Sequence, residues 1–302
     1  VNNVQMNIDK FKLKGHRSFY LRDGWINKAL MNVTAFHAEN PVDELGVGSA
    51  MVYSIRYYLR TMGLIDVKKV KRKNHYFLTD DLGQIIFRKD KYLEDNFTLW
   101  LLHYLFVKNI EKATSFSIFF NEFNYESFTK SELESFIYNY LKKSNLSKNI
   151  SKRSIKSDVN VIIKNYNKKE LNSNKTPEEN LISPFTEIGL VDEKKSNNED
   201  TYIKSKPDIR VLNEYIIYYV ILDQIGDKSS ISIDRLETNT NNIYKIFNLD
   251  THLLYHYLDK LEEKGLIEIN RTAGLNQVYV NKIEKQEVLE QYYDRGEVSF
   301  NE

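Results

Sequence analysis

A periodic helix that runs straight into Gly-Leu-Ile occurs twice in this chain, at Gly63-Leu64-Ile65 and again at Gly265-Leu266-Ile267. Glycine ends a helix without a Cβ penalty, and the apolar pair behind it begins a strand. Helix, glycine stop and hairpin, in that order, close a winged-helix unit. The two tails share an order of elements and are not a sequence repeat.

Upstream of the first tail, a short helix from Pro41 ends near Leu45, Gly46 and Gly48 supply a tight turn, and a second helix runs over 49–62. Met51, Ile55, Tyr58, Leu59 and Met62 form its inward stripe, which leaves Ser49, Tyr53, Arg56, Tyr57 and Arg60 outside. This is a helix-turn-helix pattern. The wing is expected to pair Val70 and Tyr76-Phe77-Leu78 with Ile85-Ile86-Phe87, across a turn at Asp80-Asp81-Leu82-Gly83. Residues 16–36 read as one helix, with Phe19, Trp25, Leu30 and Val33 on a face.

The second tail ends a clearer unit. Residues 213–226 read as a buried helix, 231–249 as a second helix, and Asp250 caps a third, with Leu253, Leu254, Tyr257, Leu258 and Leu261 facing inward. Strands 266–269 and 277–280 follow, joined at Thr272-Ala273-Gly274. Between the two tails, 99–107 is apolar on nearly every side and must be buried, with Asn96 and Thr98 as candidate caps. A helix is expected over 131–144. A basic, Ser-rich connector follows over 145–156, and Asp158 caps or precedes the next helix. Residues 167–180 read as a polar loop.

The expected fold is mainly α within an α+β class, with multiple winged helix-turn-helix-like units and small β wings. The expected boundaries are an N-terminal winged-helix-like unit at 1–91, a buried helical connector at 92–126, a central helical unit at 127–191, a linker at 192–208 and a C-terminal winged-helix-like unit at 209–302. Eleven glycines and four prolines in 302 residues suit helices better than a many-turned sandwich.

The net charge of +1 excludes any argument from total charge, so local clusters decide. Lys68, Lys69, Lys71, Arg72 and Lys73 place five cations in six positions. Behind a helix carrying Arg56 and Arg60 they point to phosphate contact by counterion release. A solvated charged hairpin has the same composition. Lys142, Lys143, Lys148, Lys152, Arg153 and Lys156 form a second cluster with no acid inside it, read equally as a phosphate contact or a soluble loop. In the C-terminal unit Thr251, His252, Tyr255, His256 and Lys260 lie outward or at the edge, but Glu262 and Glu263 repel phosphate. That helix points to a partner protein or a homodimer.

Chemistry is sparsely signalled. The absence of cysteine excludes disulfides and thiolate zinc. No phosphate loop, dinucleotide fingerprint, zincin motif or nucleophile elbow is present. His252 and His256 have metal-ligand spacing without a third ligand nearby, and His103 reads as a core histidine. Asp80-Asp81 and Glu94-Asp95 suit a turn and a helix start as well as magnesium. His16-Arg17 and Arg22-Asp23, beside Trp25, either grip a phosphate and move a proton or form an ion-paired helix start. The first residues lack an apolar core and no window reaches 18 apolar residues, so neither signal peptide nor membrane span is expected, and the expected location is the cytoplasm.

Longer motifs carry a resemblance: Gly15-His16-x-Ser18-Phe19-x-Leu21-Arg22-x-Gly24-Trp25-x-x-Lys28, Leu45-Gly46-Val47-Gly48-x-x-Met51-Val52-x-Ser54-Ile55-Arg56-Tyr57, Tyr92-Leu93-Glu94-Asp95-x-x-Thr98-Leu99-Trp100-Leu101-Leu102-His103-Tyr104, Phe119-Phe120-Asn121-Glu122-Phe123, and Ser183-Pro184-Phe185-x-x-Ile188-Gly189-Leu190. Together they resemble an uncharacterised bacterial family of DNA phosphorothioation operons, which includes the nicking subunit of Ssp-type systems. The resemblance implies work on double-stranded DNA during sulfur insertion, beside sulfurtransferase and reductase-like modification proteins. Three functions follow from it and from the charge pattern: holding duplex DNA, nicking a strand with Mg2+ or Mn2+, or serving as a scaffold for partner proteins. His16 and Arg22 lie in the first motif and are the candidates for cutting. Ser49, Tyr53, Arg56, Arg60, the five hairpin cations, Lys152, Arg153 and Lys156 are the candidates for binding.

Overall fold

A computed structural model describes residues 10–144, 150–167, 181–195, 200–272 and 276–298. Helices predominate, and the strands form three small antiparallel sheets, as an α+β chain requires. The chain divides into two compact units, residues 7–205 and 206–302.

The first unit runs α1 (Trp25–Met31), a 3₁₀ turn (Val33–His37), α2 (Pro41–Leu45), α3 (Ser49–Met62), β1 (Ile65–Val70), β2 (Lys73–Leu78), α4 (Gly83–Lys89), α5 (Asn96–Val107), α6 (Thr114–Asn121), β3 (Ser127–Phe128), α7 (Lys130–Lys143), α8 (Lys152–Tyr166), a second 3₁₀ turn (Pro184–Thr186), β4 (Val191–Lys194) and β5 (Thr201–Lys204). The described residues expected as N-terminal unit, connector and central unit, with the expected linker as far as Ser205, share the first unit.

Its centre is α5. Every residue from Phe97 to Val107 is buried, because α3 and α6 pack on it. The Phe106 ring meets Tyr58 at 5.3 Å and Phe116 at 4.9 Å. Each such ring taken from water stabilises by about 1.5–3 kcal/mol. The polar tips inside are matched: His103 Nδ1 lies 2.7 Å from the Tyr166 hydroxyl, and Tyr58 donates to the Phe19 carbonyl at 2.9 Å. His103 is therefore a core histidine.

Several expectations change. Residues 16–36 are not one helix: α1 starts only at Trp25, behind Gly24. The wing closes earlier than expected. Lys71 and Arg72, both at positive φ, make a two-residue turn between Val70 and Lys73. The turn carries no glycine or asparagine to announce it. Residues 85–87 consequently fall in α4, not in a strand. Thr79 starts that helix by accepting from the Gly83 amide at 2.8 Å, and a Cβ on Gly83 would stand 2.2 Å from the Leu64 carbonyl oxygen. Asp95, not Asn96 or Thr98, caps α5.

Parts of the segment 192–208, expected as a linker, are strands: β4 and β5 take in residues 192–194 and 201–204. β5 pairs with both β3 and β4, since Val191 and Tyr202 are buried and Tyr202 packs on Phe128. Lys204 adds an anchor by donating to the carbonyls of Phe119 at 3.2 Å and Phe123 at 2.9 Å, at the end of α6.

The second unit runs α9 (Glu214–Ile225), β6 (Ser230–Ser232), α10 (Ile233–Thr238), α11 (Ile243–Ile246), α12 (Thr251–Glu263), β7 (Ile267–Asn270), β8 (Gln277–Val280) and α13 (Lys285–Val298), with sheet order β6-β8-β7. Asp250 caps α12, and the five expected inward residues are buried. The single helix expected over 231–249 is a strand and two short helices. Ser232 and Asn242 cap the pieces by accepting backbone N–H groups, as short polar side chains compete with helix interiors. Ala273 and Gly274 of the expected turn, like most of the polar loop at 167–180, lie outside the described residues. Among the described residues no helix is long and apolar enough to cross a membrane.

Two measurements follow. Gly83→Ala should lower stability by about 1–3 kcal/mol in urea denaturation, the usual range for an overpacked contact. Burial lowers Lys204 from 10.5 to about 7. Between these values the unfolded chain holds a proton that the native chain has released, so stability rises with pH across that window. Lys204→Met should remove that rise from the urea midpoint measured between pH 7 and 10.

Candidate nucleic-acid interface

Helix α3 buries Val52, Ile55, Tyr58, Leu59 and Met62. The same 3.6-residue period brings Ser49, Tyr53, Arg56 and Arg60 to the other side, where Ser49 and Arg60 are exposed and the two between are half-buried. Tyr57, expected outside, is buried, with its hydroxyl donating to the Lys112 carbonyl at 2.9 Å. Arg56 is partly engaged. One Nη donates to the Tyr76 hydroxyl at 2.9 Å, and the guanidinium lies 5.0 Å from the Tyr76 ring and 5.8 Å from Phe36. Arg56 therefore sets the hairpin's orientation on the helix and presents only part of its guanidinium to a ligand.

The β1–β2 hairpin borders one side of this face. Lys68, Lys69, Lys71, Arg72 and Lys73 are all exposed. The register sets Lys68 opposite His75 and Lys69 opposite Asn74. Lys68 lies 4.8 Å over the Phe77 ring, and His75 lies 4.6 Å from His37. Like charges gathered on so small a hairpin repel one another, and an anion laid against them relieves that repulsion.

A ribbon that sequence reading missed supplies further charge. Lys10, Lys12 and Lys14 alternate along the chain, and Lys12 sits 5.4 Å over the Tyr57 ring. The signal was the strict Lys-x-Lys-x-Lys spacing. The ribbon is pinned from below: the Lys12 amide donates to Thr114 Oγ1 at 2.9 Å and the Lys14 amide to Asp158 Oδ1 at 2.8 Å.

His16 completes the pinning. Its Nδ1 accepts from the Ser18 amide at 3.1 Å, so Nε2 carries the hydrogen and donates to Asp158 Oδ1 at 2.9 Å. Asp158 Oδ2 also accepts from Ser115 Oγ at 2.6 Å, and the His16 carbonyl accepts from Ser54 Oγ at 2.8 Å. Both side chains are buried, at 1% and 2% exposure. That depth keeps the imidazole from a phosphodiester outside, so the acid–base role anticipated for His16 gives way to anchoring. Asp158, expected at a helix start, is instead inside α8.

The anchored loop is strained. Lys14, Arg17 and Ser18 all take positive φ, at about 1–3 kcal/mol each. A Cβ on Gly15 would stand 2.4 Å from the Tyr57 ring. This shape lays the Arg17 guanidinium 4.4 Å over the Tyr53 ring and brings Ser18 Oγ within 2.8 Å of Ser157 Oγ on α8. Arg17 is thus delivered to the α3 face, and the loop joins that face to α8.

Lys152, Arg153 and Lys156 lie on the first turns of α8, behind the Ser151 cap, and not in a connector; all three are exposed. Cations at a helix N-terminus oppose its dipole, so this cluster too is better off beside an anion. Lys142 and Lys143 end α7, whereas Lys148 lies outside the described residues.

Arg22 sits apart from His16. Its guanidinium lies 5.6–5.9 Å from the rings of Phe19, Tyr20 and Trp25, and it lines an open groove shared with Lys28 and the α2–α3 turn. The acidic pairs serve structure: Asp81 accepts from the Leu82 amide and Asp95 from Phe97. Among the described residues no three His, Asp or Glu side chains gather as a metal site. In the second unit, Glu262 accepts from the Ile269 amide and pairs with Arg271.

A family model described as "Protein of unknown function (DUF4007)" matches residues 13–293, from the basic ribbon to the last helix. No curated protein matches. Two solved structures are similar in fold. The crystal structure of magnesium-ion-bound SspB has a TM-score of 0.79 at 24% identity, over 94% of this chain and 88% of that one. A second SspB crystal structure has a TM-score of 0.78 at 24% identity, over 97% and 91%.

Asp158→Ala would leave the Lys14 amide, His16 and Ser115 without their acceptor. The expected loss is about 1–3 kcal/mol for each buried donor left unsatisfied, read in urea denaturation, with amide exchange accelerated first over residues 10–18.

Proposed function

Because this chain belongs to the DUF4007 family and shares the fold of SspB, we propose that it is the duplex-DNA-binding subunit of a bacterial phosphorothioation defence system. It holds the backbone while sulfurtransferase and reductase-like partners in the cytoplasm modify it. The observation that carries this reading is the outer α3 face, with Ser49 and Arg60 exposed and Tyr53 and Arg56 half-buried, bordered by the exposed hairpin cations. Phosphates seated on Arg17, Arg60 and the hairpin replace condensed counterions, and that release drives binding. Lys152, Arg153 and Lys156 extend the contact along α8.

We read the second unit, which runs α9, β6, α10, α11, α12, β7 and β8 before α13, as winged-helix-like. With Glu262 and Glu263 near the end of α12, we assign it to partner docking or to pairing with a second copy.

Nicking is the competing function, and the SspB crystal structure with magnesium bound is what favours it. The described residues offer no matching cluster of metal ligands, so no step through a metal is derived.

Substituting Lys68, Lys69, Lys71, Arg72 and Lys73 by Gln should flatten the log–log salt dependence of duplex affinity by up to about 4.5, roughly 0.9 for each phosphate no longer neutralised. An unchanged slope removes the hairpin from the interface. In a parallel assay, supercoiled plasmid with Mg2+ or Mn2+ should yield no open circles above background. Open circles that disappear in Arg22→Ala would assign cutting to this chain instead.

A further inference from the structure

The groove beside α3 has a volume of about 860 Å³, within the range of small-molecule sites and larger than a backbone phosphate needs. Its wall is mixed. Arg22 is held by three aromatic rings, and its Nε is buried with no hydrogen-bond partner. A guanidinium oriented by stacking, rather than by a carboxylate, keeps its fork for a phosphate. Lys28 faces it from α1, with its Nζ 3.9 Å from where a Cβ on Gly46 would stand.

The rest of the lining is Val42, Val47, Met51 and Leu181, an edge of the largely buried Trp25, and the carboxylates of Asp23 and Asp43. Asp43 adds an acceptor that suits the amino group of a base. Gly48 opens the rim. Its φ of −61° suits any residue, and a Cβ there would meet nothing within 4 Å. As the N-cap of α3 it is also a position that glycine commonly fills.

We propose that the groove receives one unstacked nucleotide of the bound DNA, with its phosphate on Arg22 and Lys28 and its base against Met51 and the exposed edge of Trp25. The site adjoins the start of α3, since its lining includes Gly48, which precedes Ser49 in the chain, and the inference rests on the DNA-binding reading of the α3 face. An unpaired nucleotide enters without the loss of pairing that a paired one must bear.

The test compares three labelled duplexes by fluorescence anisotropy: fully paired, with one extra unpaired adenine nucleotide, and with an abasic nucleotide in that place. The protein should bind the unpaired-adenine duplex about tenfold more tightly than the other two, the scale of one stacking contact. Gly48→Trp and Lys28→Glu, both on the exposed rim, should abolish this preference and leave paired-duplex affinity within about twofold. Arg22→Gln should abolish the preference too. Equal binding of the paired and unpaired-adenine duplexes overturns the groove and leaves the α3 face standing. An abasic duplex as good as the adenine duplex overturns the base contact. A preference that survives Gly48→Trp also overturns the proposal. Binding of the unpaired duplex alone supports the groove and overturns the α3 face. Binding of neither overturns both.

Discussion

One carboxylate, Asp158, ties together parts of the chain that lie far apart in sequence. It accepts from the Lys14 amide, the His16 ring and the Ser115 hydroxyl, and it belongs to α8 itself. A buried carboxylate is tolerable only when its lone pairs are filled, and here each donor comes from a segment that the interface needs. His16 passes the linkage to α3 through Ser54, and Ser18 passes it back to α8 through Ser157. The strained loop from Lys14 to Ser18 persists because these bonds over-determine it. Without them Arg17 has no reason to stay over Tyr53.

Around this anchor the charge is laid out asymmetrically. A chain with a net charge of +1 nonetheless places cations along a ribbon, around a hairpin and at the wrong end of a helix dipole. Some of these cations rest over aromatic rings, but in the free protein their mutual repulsion and the helix dipole oppose the arrangement. Each placement becomes favourable beside a polyanion, and this is the sense in which the surface is prepared for a ligand and not merely soluble. The surface is built by the first unit alone, so the second unit is not needed to complete it.

Much of the scaffold was legible in the sequence. The stripe on α3, the wholly buried α5, the Asp250 cap and both Gly-Leu-Ile junctions follow from period and capping, which are local. What escaped depended on distant contacts. The Lys71–Arg72 turn lacked turn residues, and the pairing of β4 with β5 hangs on one tyrosine finding Phe128. His16 looked catalytic for the reason it is structural: a polar residue among aromatics must have a partner, and that partner stands 142 residues away. The interface was half visible, because clusters of adjacent cations draw notice and alternating ones such as Lys10, Lys12 and Lys14 do not.

The hairpin tip shows what such a surface gives up. A two-residue turn of this kind is most relaxed with Asn-Gly, yet here both positions hold long cations with positive φ. Rigidity and reach are in opposition at that point. A relaxed tip would hold the strands in tighter register but would end in neutral, short side chains, whereas the tip as built extends its charge farthest into solvent and accepts a looser hinge. Engineering this protein for heat resistance would begin by repairing that turn, and would thereby blunt the part that travels farthest towards its target.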